Sequence, residues 1–220
     1  MKKISLGFIA FGLFTFFSCR TTVTDFSGNT YKTVKIGKQK WMGENLRTAT
    51  YSDGTPIMNI TKDEEWESLT KGAWSYYKND NQNDSSYGKL YNWYAVTTEK
   101  LCPIGWHVPS DTEWDVLINY LGSHGHSGKE GTPLKSISGW IDYEDLNGNG
   151  KDDYGWLGLP SGGRSFNGDF YGIGSGGLWW SSSDGDTDIA WNRSLFSFDS
   201  LVSRYSLDKN NGFSVRCLKN

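Results

Sequence analysis

Residues 102–114 read Cys-Pro-Ile-Gly-Trp-His-Val-Pro-Ser-Asp-Thr-Glu-Trp and contain the clearest local signal in the chain. Ser110 and Glu113 have the spacing of a capping box, in which each side chain accepts a hydrogen bond from the backbone N–H of the other residue. This arrangement satisfies two amide groups that the first turn of a helix leaves without partners. We therefore expect a helix to begin directly after Ser110.

The residues that follow Ser110 carry apolar side chains at helical spacing. These positions are Trp114, Leu117, Ile118 and Leu121. They place one apolar stripe of the helix against a core, which makes Trp114 a core ring rather than a platform for a ligand. Gly122 is expected to end the helix.

Around this helix the chain shows short runs that are typical of strands. Residues 30–36 and 39–45 flank Gly37-Lys38, a connection suited to a hairpin. After Gly155 the runs are shorter and are broken by Gly, Asp and Asn, which predicts an antiparallel meander in the C-terminal half. Its predicted strands are 178–183, 189–196, 201–207 and 213–218. A short helix is expected near residues 64–69, and the aromatic segment 90–96 fits a buried helix or strand equally well.

The composition is rich in aromatic residues and glycine, with 11 Trp, 12 Tyr and 27 Gly against 5 Pro. Such a composition suits turns and short strands packed around aromatic rings, in a β-rich core or in a secreted binding module. The net charge is -3 and no block of Lys or Arg occurs, so nucleic acid is excluded as a partner.

The N-terminus has the pattern of an export signal. Lys2 and Lys3 precede an apolar run over residues 4–17 that is too short to span a bilayer. Ser18 then precedes Cys19, the arrangement at which bacterial lipoproteins are acylated. We expect a lipoprotein signal peptide at 1–18, lipidation of Cys19, a tether at 19–25 and a single domain at 26–220. Ordinary cleavage nearby is the alternative.

This reading predicts attachment to the outer membrane through lipid alone, at the cell surface or on the periplasmic face. In such an oxidising compartment, the two remaining cysteines, Cys102 and Cys217, are expected to form a disulfide. The alternative is a pair of free thiols that act as ligands or nucleophiles.

Six ordered motifs give the chain a family resemblance. They are GNTY at 28–31, WMGENL at 41–46, YNWYA at 91–95, CPIGWHVPS at 102–110, LPSGG at 159–163 and GFSVRC at 212–217. In this order they resemble the Fibrobacter succinogenes major paralogous domain, a family of Bacteroidetes and Fibrobacteres lipoproteins. The resemblance covers the chain from about Asp25 to the C-terminus. It implies a C-type-lectin-like or sulfatase-modifying-factor-like fold whose terminal strand pairs back into a sheet, but it implies no activity and no catalytic residues.

Together these observations predict an α+β fold with short antiparallel strands, one or two helices and a β-rich C-terminal half. Within it, residues 145–153 read Asp-Leu-Asn-Gly-Asn-Gly-Lys-Asp-Asp and place oxygen atoms at alternate positions, as a calcium loop does. The predicted ligands are Asp145, Asn147, Asn149, the carbonyl of Lys151, and Asp153. Trp156 stands where such a loop needs its final acidic residue, and the alternative is a solvated Asn/Gly turn. Calcium is the only cofactor that the sequence indicates.

A second candidate site lies among the aromatic residues of the C-terminal half, where rings and polar side chains are interleaved. A flat ring covers the apolar face of a sugar while polar groups bind its hydroxyls. The predicted ligand-binding residues are Trp156, Arg164, Trp179, Trp180, Trp191, Asn192 and Arg193. In the alternative interpretation the rings face the core, but only one of Trp179 and Trp180 can point inward from a strand, so we expect at least one exposed ring.

The predicted function is therefore that of a binding module that recognises a glycan, and not that of an enzyme. The chain lacks the serine-elbow, zinc-protease and phosphate-loop motifs. The first alternative is a structural or adhesive subunit that binds a surface protein. The second is an oxidoreductase of the formylglycine-generating kind, which would need free thiols at Cys102 and Cys217.

Overall fold

The computed structural model describes residues 22–220, which form 13 short strands and four short α-helices. The strands are β1 Thr22–Thr24, β2 Thr30–Ile36, β3 Gln39–Met42, β4 Met58–Asn59, β5 Ala73–Ser75, β6 Leu90–Tyr91, β7 Trp106–His107, β8 Ser161–Arg164, β9 Phe170–Ile173, β10 Gly176–Asp184, β11 Ile189–Phe196, β12 Ser203–Asp208 and β13 Leu218–Lys219. The helices are α1 Asp63–Glu67, α2 Asp84–Tyr87, α3 Trp93–Val96 and α4 Asp111–Leu121. The predicted α+β class is confirmed.

The strands form three sheets, with the orders β1-β2-β3-β13-β7, β12-β11-β10-β8-β9 and β4-β5-β6. In the first sheet β2 and β3 make the predicted hairpin, with Ile36 paired to Gln39 across the turn. Gly37 has a φ of 60°, which a residue with a side chain rarely adopts. The segment 90–96, left open between helix and strand, divides into β6 and α3.

The predicted meander is confirmed for three strands, because β10, β11 and β12 pair antiparallel in chain order. The predicted strand at 213–218 is wrong for most of its length, since only β13 at its end is a strand. The preceding residues bond to several different elements: Trp180 N–H donates to Ser214 O and Leu46 N–H donates to Val215 O. This segment therefore threads between the sheets instead of extending one of them.

Helix α4 begins as the sequence predicts. The Ser110 hydroxyl accepts from Glu113 N–H at 3.3 Å, and the Glu113 carboxylate accepts from Ser110 N–H at 2.8 Å. Gly122 does not end the helix in a left-handed conformation, because its φ is −57° and the chain continues through one wider turn. Gly125, with a φ of 92°, takes that role.

Two apolar cores lie on opposite sides of the second sheet. Trp180 and Ala190 belong to one, with Tyr91 and Phe213, and Trp179 belongs to the other, with rings from β3 and α4. Since each core covers one face of the sheet, β10 and β11 are central strands that are buried on both sides.

The predicted disulfide between Cys102 and Cys217 is confirmed, with an S–S distance of 2.03 Å. Cys217 directly precedes β13, and Cys102 lies four residues before β7, the strand that pairs with β13. The bond therefore ties the middle of the chain to its C-terminal strand, across a sequence separation of 115 residues.

The predicted tether is too long. Strand β1 pairs with β2, and Asp25 accepts hydrogen bonds from the Tyr31 hydroxyl at 2.5 Å and from Asn29 N–H at 2.9 Å. Residues 22–25 therefore belong to the folded domain, because both their backbone and the Asp25 carboxylate are held by it. The predicted signal peptide and Cys19 lie outside the described residues. Within residues 22–220, no helix is long and apolar enough to cross a bilayer.

Removal of the disulfide tests how much this closure stabilises the domain. For a closed loop of this length, the chain-entropy model gives about 4 to 5 kcal/mol, so the Cys102→Ala/Cys217→Ala variant should lose free energy of unfolding of that order. Denaturant unfolding followed by Trp fluorescence measures the loss. Reductant should lower the midpoint of the wild type and leave the variant unchanged. Equal midpoints for the wild type with and without reductant would contradict the prediction.

Candidate functional site

Trp179 and Trp180, predicted to leave one ring exposed, are both fully buried, so this expectation is wrong. Trp179 Nε1 donates to Asn45 Oδ1 at 2.8 Å on one side of β10, and Trp180 Nε1 donates to Tyr91 O at 2.7 Å on the other. The two side chains point to opposite faces, as alternation requires. Both faces are covered by a core, and neither ring offers a surface to a sugar.

Trp156 and Arg164 are also fully buried, which corrects their prediction as ligand-binding residues. Trp156 packs against the rings of the second core. The Arg164 guanidinium lies between the rings of Trp66 and Phe170 and donates to Asp63 Oδ1 at 2.8 Å. Arg164 therefore connects β8 to α1 through this ion pair, and its side chain has no exposed surface for a ligand.

The three predicted residues on β11 serve the fold as well. Asn192 donates to Tyr205 O, and Arg193 donates to Asp111 and Asp115 at 2.6 and 2.7 Å. Both side chains are buried, which corrects their prediction as ligand contacts. Trp191 is half-buried, and the guanidinium of Arg204 covers one face of its ring. Of the seven predicted residues, Trp191 alone keeps an accessible ring.

Four other rings that reach the surface lie together in a group that we call the aromatic row: Tyr143, Phe198, Phe196 and Tyr205. Tyr143 is 5.6 Å from Phe198 between ring centroids, Phe198 stacks on Phe196 at 5.1 Å, and Phe196 lies 6.3 Å from Tyr205. Tyr143, Phe198 and Tyr205 are 48, 50 and 46% exposed. The row is thus a continuous line of rings that faces solvent.

Three elements position the aromatic row. Phe196 ends β11, Phe198 lies in the turn that follows, and Tyr205 stands on the neighbouring strand β12. Tyr143 lies on a loop in which the backbones of Tyr143 and Leu146 bond to each other in both directions. The loop is docked on the sheet, since Ile141 N–H donates to Gly174 O at 2.9 Å. Backbone hydrogen bonds therefore fix the loop that carries Tyr143 next to the sheet that carries the other rings.

Carboxylates border the aromatic row on its loop side. Asp142, Glu144 and Asp145 flank Tyr143 in the chain and are exposed. Asp142 accepts a hydrogen bond from Gly148 N–H at 3.2 Å, which fixes its position. The row thus combines apolar ring surface with hydrogen-bond acceptors.

A second concave feature, which we call the Arg216-backed cavity, has a volume of about 660 Å³. Charged residues of both signs line it: Lys32 and Arg47 are cationic, and Glu44 and Asp152 are acidic. It is also lined by Thr33, Val34, Gly43, Asn45, Ser85, Ser86, Gly88, Gly155, Leu157 and Leu159. Its volume is within the range of small-molecule sites in proteins.

Arg216 lies behind this cavity and is fully buried. Its guanidinium donates to Asn45 Oδ1 at 2.8 Å and to the carbonyl oxygens of Met42, Trp156 and Leu157. All of these acceptors are neutral, so the buried cation is solvated by dipoles and is not paired with a carboxylate. Burial lowers the pKa of Arg216 to about 9, which leaves it protonated at neutral pH.

The wall of the cavity opposite β2 contains two residues with unusual backbone conformations. Asp152 and Leu157 have φ values of 47° and 50°, a region that residues with side chains rarely occupy. The Asp152 carboxylate accepts from Leu157 N–H at 2.6 Å and holds the loop closed. Burial raises the pKa of Asp152. Strained backbone of this kind is concentrated at functional sites.

In the predicted calcium loop, side-chain oxygen atoms accept hydrogen bonds from backbone N–H groups of the protein. Asn147 Oδ1 accepts from Asn149 N–H at 2.9 Å, and Asn149 Oδ1 accepts from Trp140 N–H at 3.1 Å. The backbone of Lys151 bonds to Thr132, which places this segment against its neighbour. In residues 22–220 no three His, Cys, Asp or Glu side chains lie together as metal ligands would. Calcium binding by Asp145, Asn147, Asn149, Lys151 and Asp153 stays a prediction.

None of the seven ligand-binding residues predicted from the sequence belongs to the aromatic row, Tyr143, Phe198, Phe196 and Tyr205. One signal was available, because Phe196 and Phe198 are two residues apart where a predicted strand ends. The sequence does not predict that these two rings continue to Tyr143, because that contact depends on where the loop carrying Tyr143 packs.

Comparison with protein families gives one result. A family model described as the Fibrobacter succinogenes major domain matches residues 34–219. The chain belongs to this family. The membership expected from the sequence motifs is confirmed, and the match covers β3 through β13, including the disulfide, the aromatic row and most of the Arg216-backed cavity. Comparisons with curated proteins and with solved structures found no match.

The role of Arg216 in this Fibrobacter succinogenes major domain can be tested by substitution. Arg216→Lys keeps the charge but cannot reach all four acceptors, so buried carbonyl groups lose their partners. We expect the free energy of unfolding to fall by about 3 kcal/mol. The matched control is Arg204→Lys at an exposed position, which should cost less than about 1 kcal/mol. Equal losses in the two variants would contradict the assigned role.

Proposed function

We propose that this domain is a binding module that recognises a neutral glycan through the aromatic row. The observation that carries the proposal is the unbroken contact from Tyr143 through Phe198 and Phe196 to Tyr205, with three of the rings about half exposed. Monomeric proteins rarely leave a continuous group of large apolar side chains in water without a binding role.

The acceptor groups next to the aromatic row suit a glycan. Asp142, Glu144 and Asp145 flank Tyr143 in the chain and are exposed. Their carboxylates can accept hydrogen bonds from sugar hydroxyls while the rings cover apolar C–H surface. Because these groups are anionic, the row suits a neutral sugar chain better than an acidic one.

Binding is also favoured over catalysis. Cys102 and Cys217 are joined to each other, so neither supplies the thiolate that an oxidoreductase of the formylglycine-generating kind would need.

The C-type-lectin-like or sulfatase-modifying-factor-like fold is likewise proposed. It is supported by the return of β13 to pair with β3 and β7 beside the disulfide.

We propose in addition that the protein is exported and anchored by lipid on Cys19, at the outer membrane. The disulfide supports an oxidising compartment. Folding of the domain from Thr22 onward supports a short connection, because only two residues lie between Cys19 and Thr22 and the three residue steps span at most about 11 Å.

Glycan binding can be tested on an array of neutral polysaccharides with the folded domain. Phe198→Ala removes the central ring, which we expect to weaken binding about tenfold. Phe166→Ala is the matched control, since Phe166 is 49% exposed and is not part of the row. Its affinity should equal that of the wild type.

Two results of this experiment would overturn the proposed function. One is silence of the wild type across the array. The other is an equal loss of affinity in the Phe198→Ala and Phe166→Ala variants. Concentration-dependent self-association that Phe198→Ala abolishes, measured by size-exclusion chromatography, would assign the row to a structural subunit instead.

Lipid attachment can be tested by metabolic labelling with a fatty acid in a Gram-negative host. The full-length protein should incorporate label and fractionate with the outer membrane, and Cys19→Ser should abolish incorporation. The Cys102→Ser variant is the matched control and should keep the label. An unlabelled wild type with a mature N-terminus elsewhere would show ordinary secretion and contradict the anchor.

A further inference from the structure

The Arg216-backed cavity has an excess of positive charge. Lys32 and Arg47 line it and Arg216 lies directly behind it, while Glu44 and Asp152 are its acidic lining residues. Three cations thus face two carboxylates. The charge of Arg216 is neutralised by no carboxylate contact, and its field is weakly screened in the interior.

Part of the lining is already fixed by internal bonds. Glu44 accepts from Arg47 at 3.0 Å and from Lys32 N–H at 3.1 Å. These contacts hold the pKa of Glu44 below its usual value, although burial opposes the shift. The Arg47 guanidinium also stacks on Tyr31. Arg47 is therefore preorganised, and Lys32 is the exposed cation of the lining, on β2.

The remaining lining is amphipathic. Val34, Leu157 and Leu159 contribute aliphatic surface, while Ser85 and Ser86 contribute hydroxyl groups. A ligand that matches this lining carries one negative charge, several hydroxyls and an apolar face. The volume of about 660 Å³ suits one such small molecule and is too small for a long chain.

We propose that the Arg216-backed cavity binds a carboxylated sugar, with its carboxylate toward Lys32 and Arg47 and its hydroxyls toward Ser85, Ser86 and Asp152. This site has no residue in common with the aromatic row. It goes beyond the proposed function and does not depend on it, because the row is bordered by carboxylates and suits a neutral chain.

Strand β2 supplies a matched pair of variants. Lys32 and Val34 line the cavity, as Thr33 between them does, whereas Lys35 does not. Lys35 is exposed like Lys32. The Lys32→Ala and Lys35→Ala variants therefore remove the same charge from the same strand, and only the first removes it from the cavity lining.

The test is isothermal titration of the folded domain with sodium glucuronate, with glucose and sodium acetate as comparison ligands. We expect saturable binding of glucuronate and at least tenfold weaker binding of the other two. Lys32→Ala should weaken glucuronate binding about fivefold, as expected for a partly exposed ion pair, and Lys35→Ala should leave it unchanged. Ser86→Trp, which fills the cavity from an exposed position, should abolish it.

Three outcomes would overturn the proposal: no saturable glucuronate binding, acetate binding as strong as that of glucuronate, or equal affinities in Lys32→Ala and Lys35→Ala. The two sites are separable in the same preparation. Phe198→Ala should leave the glucuronate affinity unchanged, and Lys32→Ala should leave binding of neutral glycans unchanged. Failure of this proposal would thus be distinct from failure of the glycan function of the row.

Discussion

The buried guanidinium of Arg216 is the interaction on which the rest of the structure depends. It bonds to Met42 at the end of β3, to Asn45 after it, and to the carbonyls of Trp156 and Leu157. Asn45 Oδ1 accepts in turn from Trp179 of β10. One cation thus joins the first sheet, the second sheet and the loop between them.

A buried cation solvated only by neutral oxygen atoms is costly unless every donor is satisfied. The backbone of Leu157 adopts its unusual conformation where its carbonyl meets Arg216, and Asp152 secures the same turn through Leu157 N–H. The Arg216 guanidinium therefore stabilises the strained turn, and the turn supplies a carbonyl oxygen that solvates the guanidinium. Asp152 and Leu157 of this turn line the Arg216-backed cavity.

The fold was largely predictable from local sequence. The capping box at Ser110 and Glu113 gave helix α4, and Gly37-Lys38 gave the β2–β3 hairpin, because both depend on neighbours in the chain. The family motifs predicted the membership that the match over residues 34–219 confirms. The segment 213–218 was mistaken for a strand because its hydrogen-bond partners belong to several different elements, which no local pattern reveals.

The candidate site was less predictable, and the reason is the two-sided burial of the central sheet. Alternation correctly places Trp179 and Trp180 on opposite faces, but it cannot tell that a core covers each face. Trp179 and Trp180 fill volume on the two covered faces, and the indole N–H of each donates to an internal acceptor. The exposed rings of the aromatic row are instead Phe198 in the turn after β11, Tyr205 on β12 and Tyr143 on a docked loop. Such positions contribute little to either core. Substitutions at Tyr143, Phe198 and Tyr205 can therefore alter ligand binding without disturbing the fold, which Arg216 and the tryptophans stabilise.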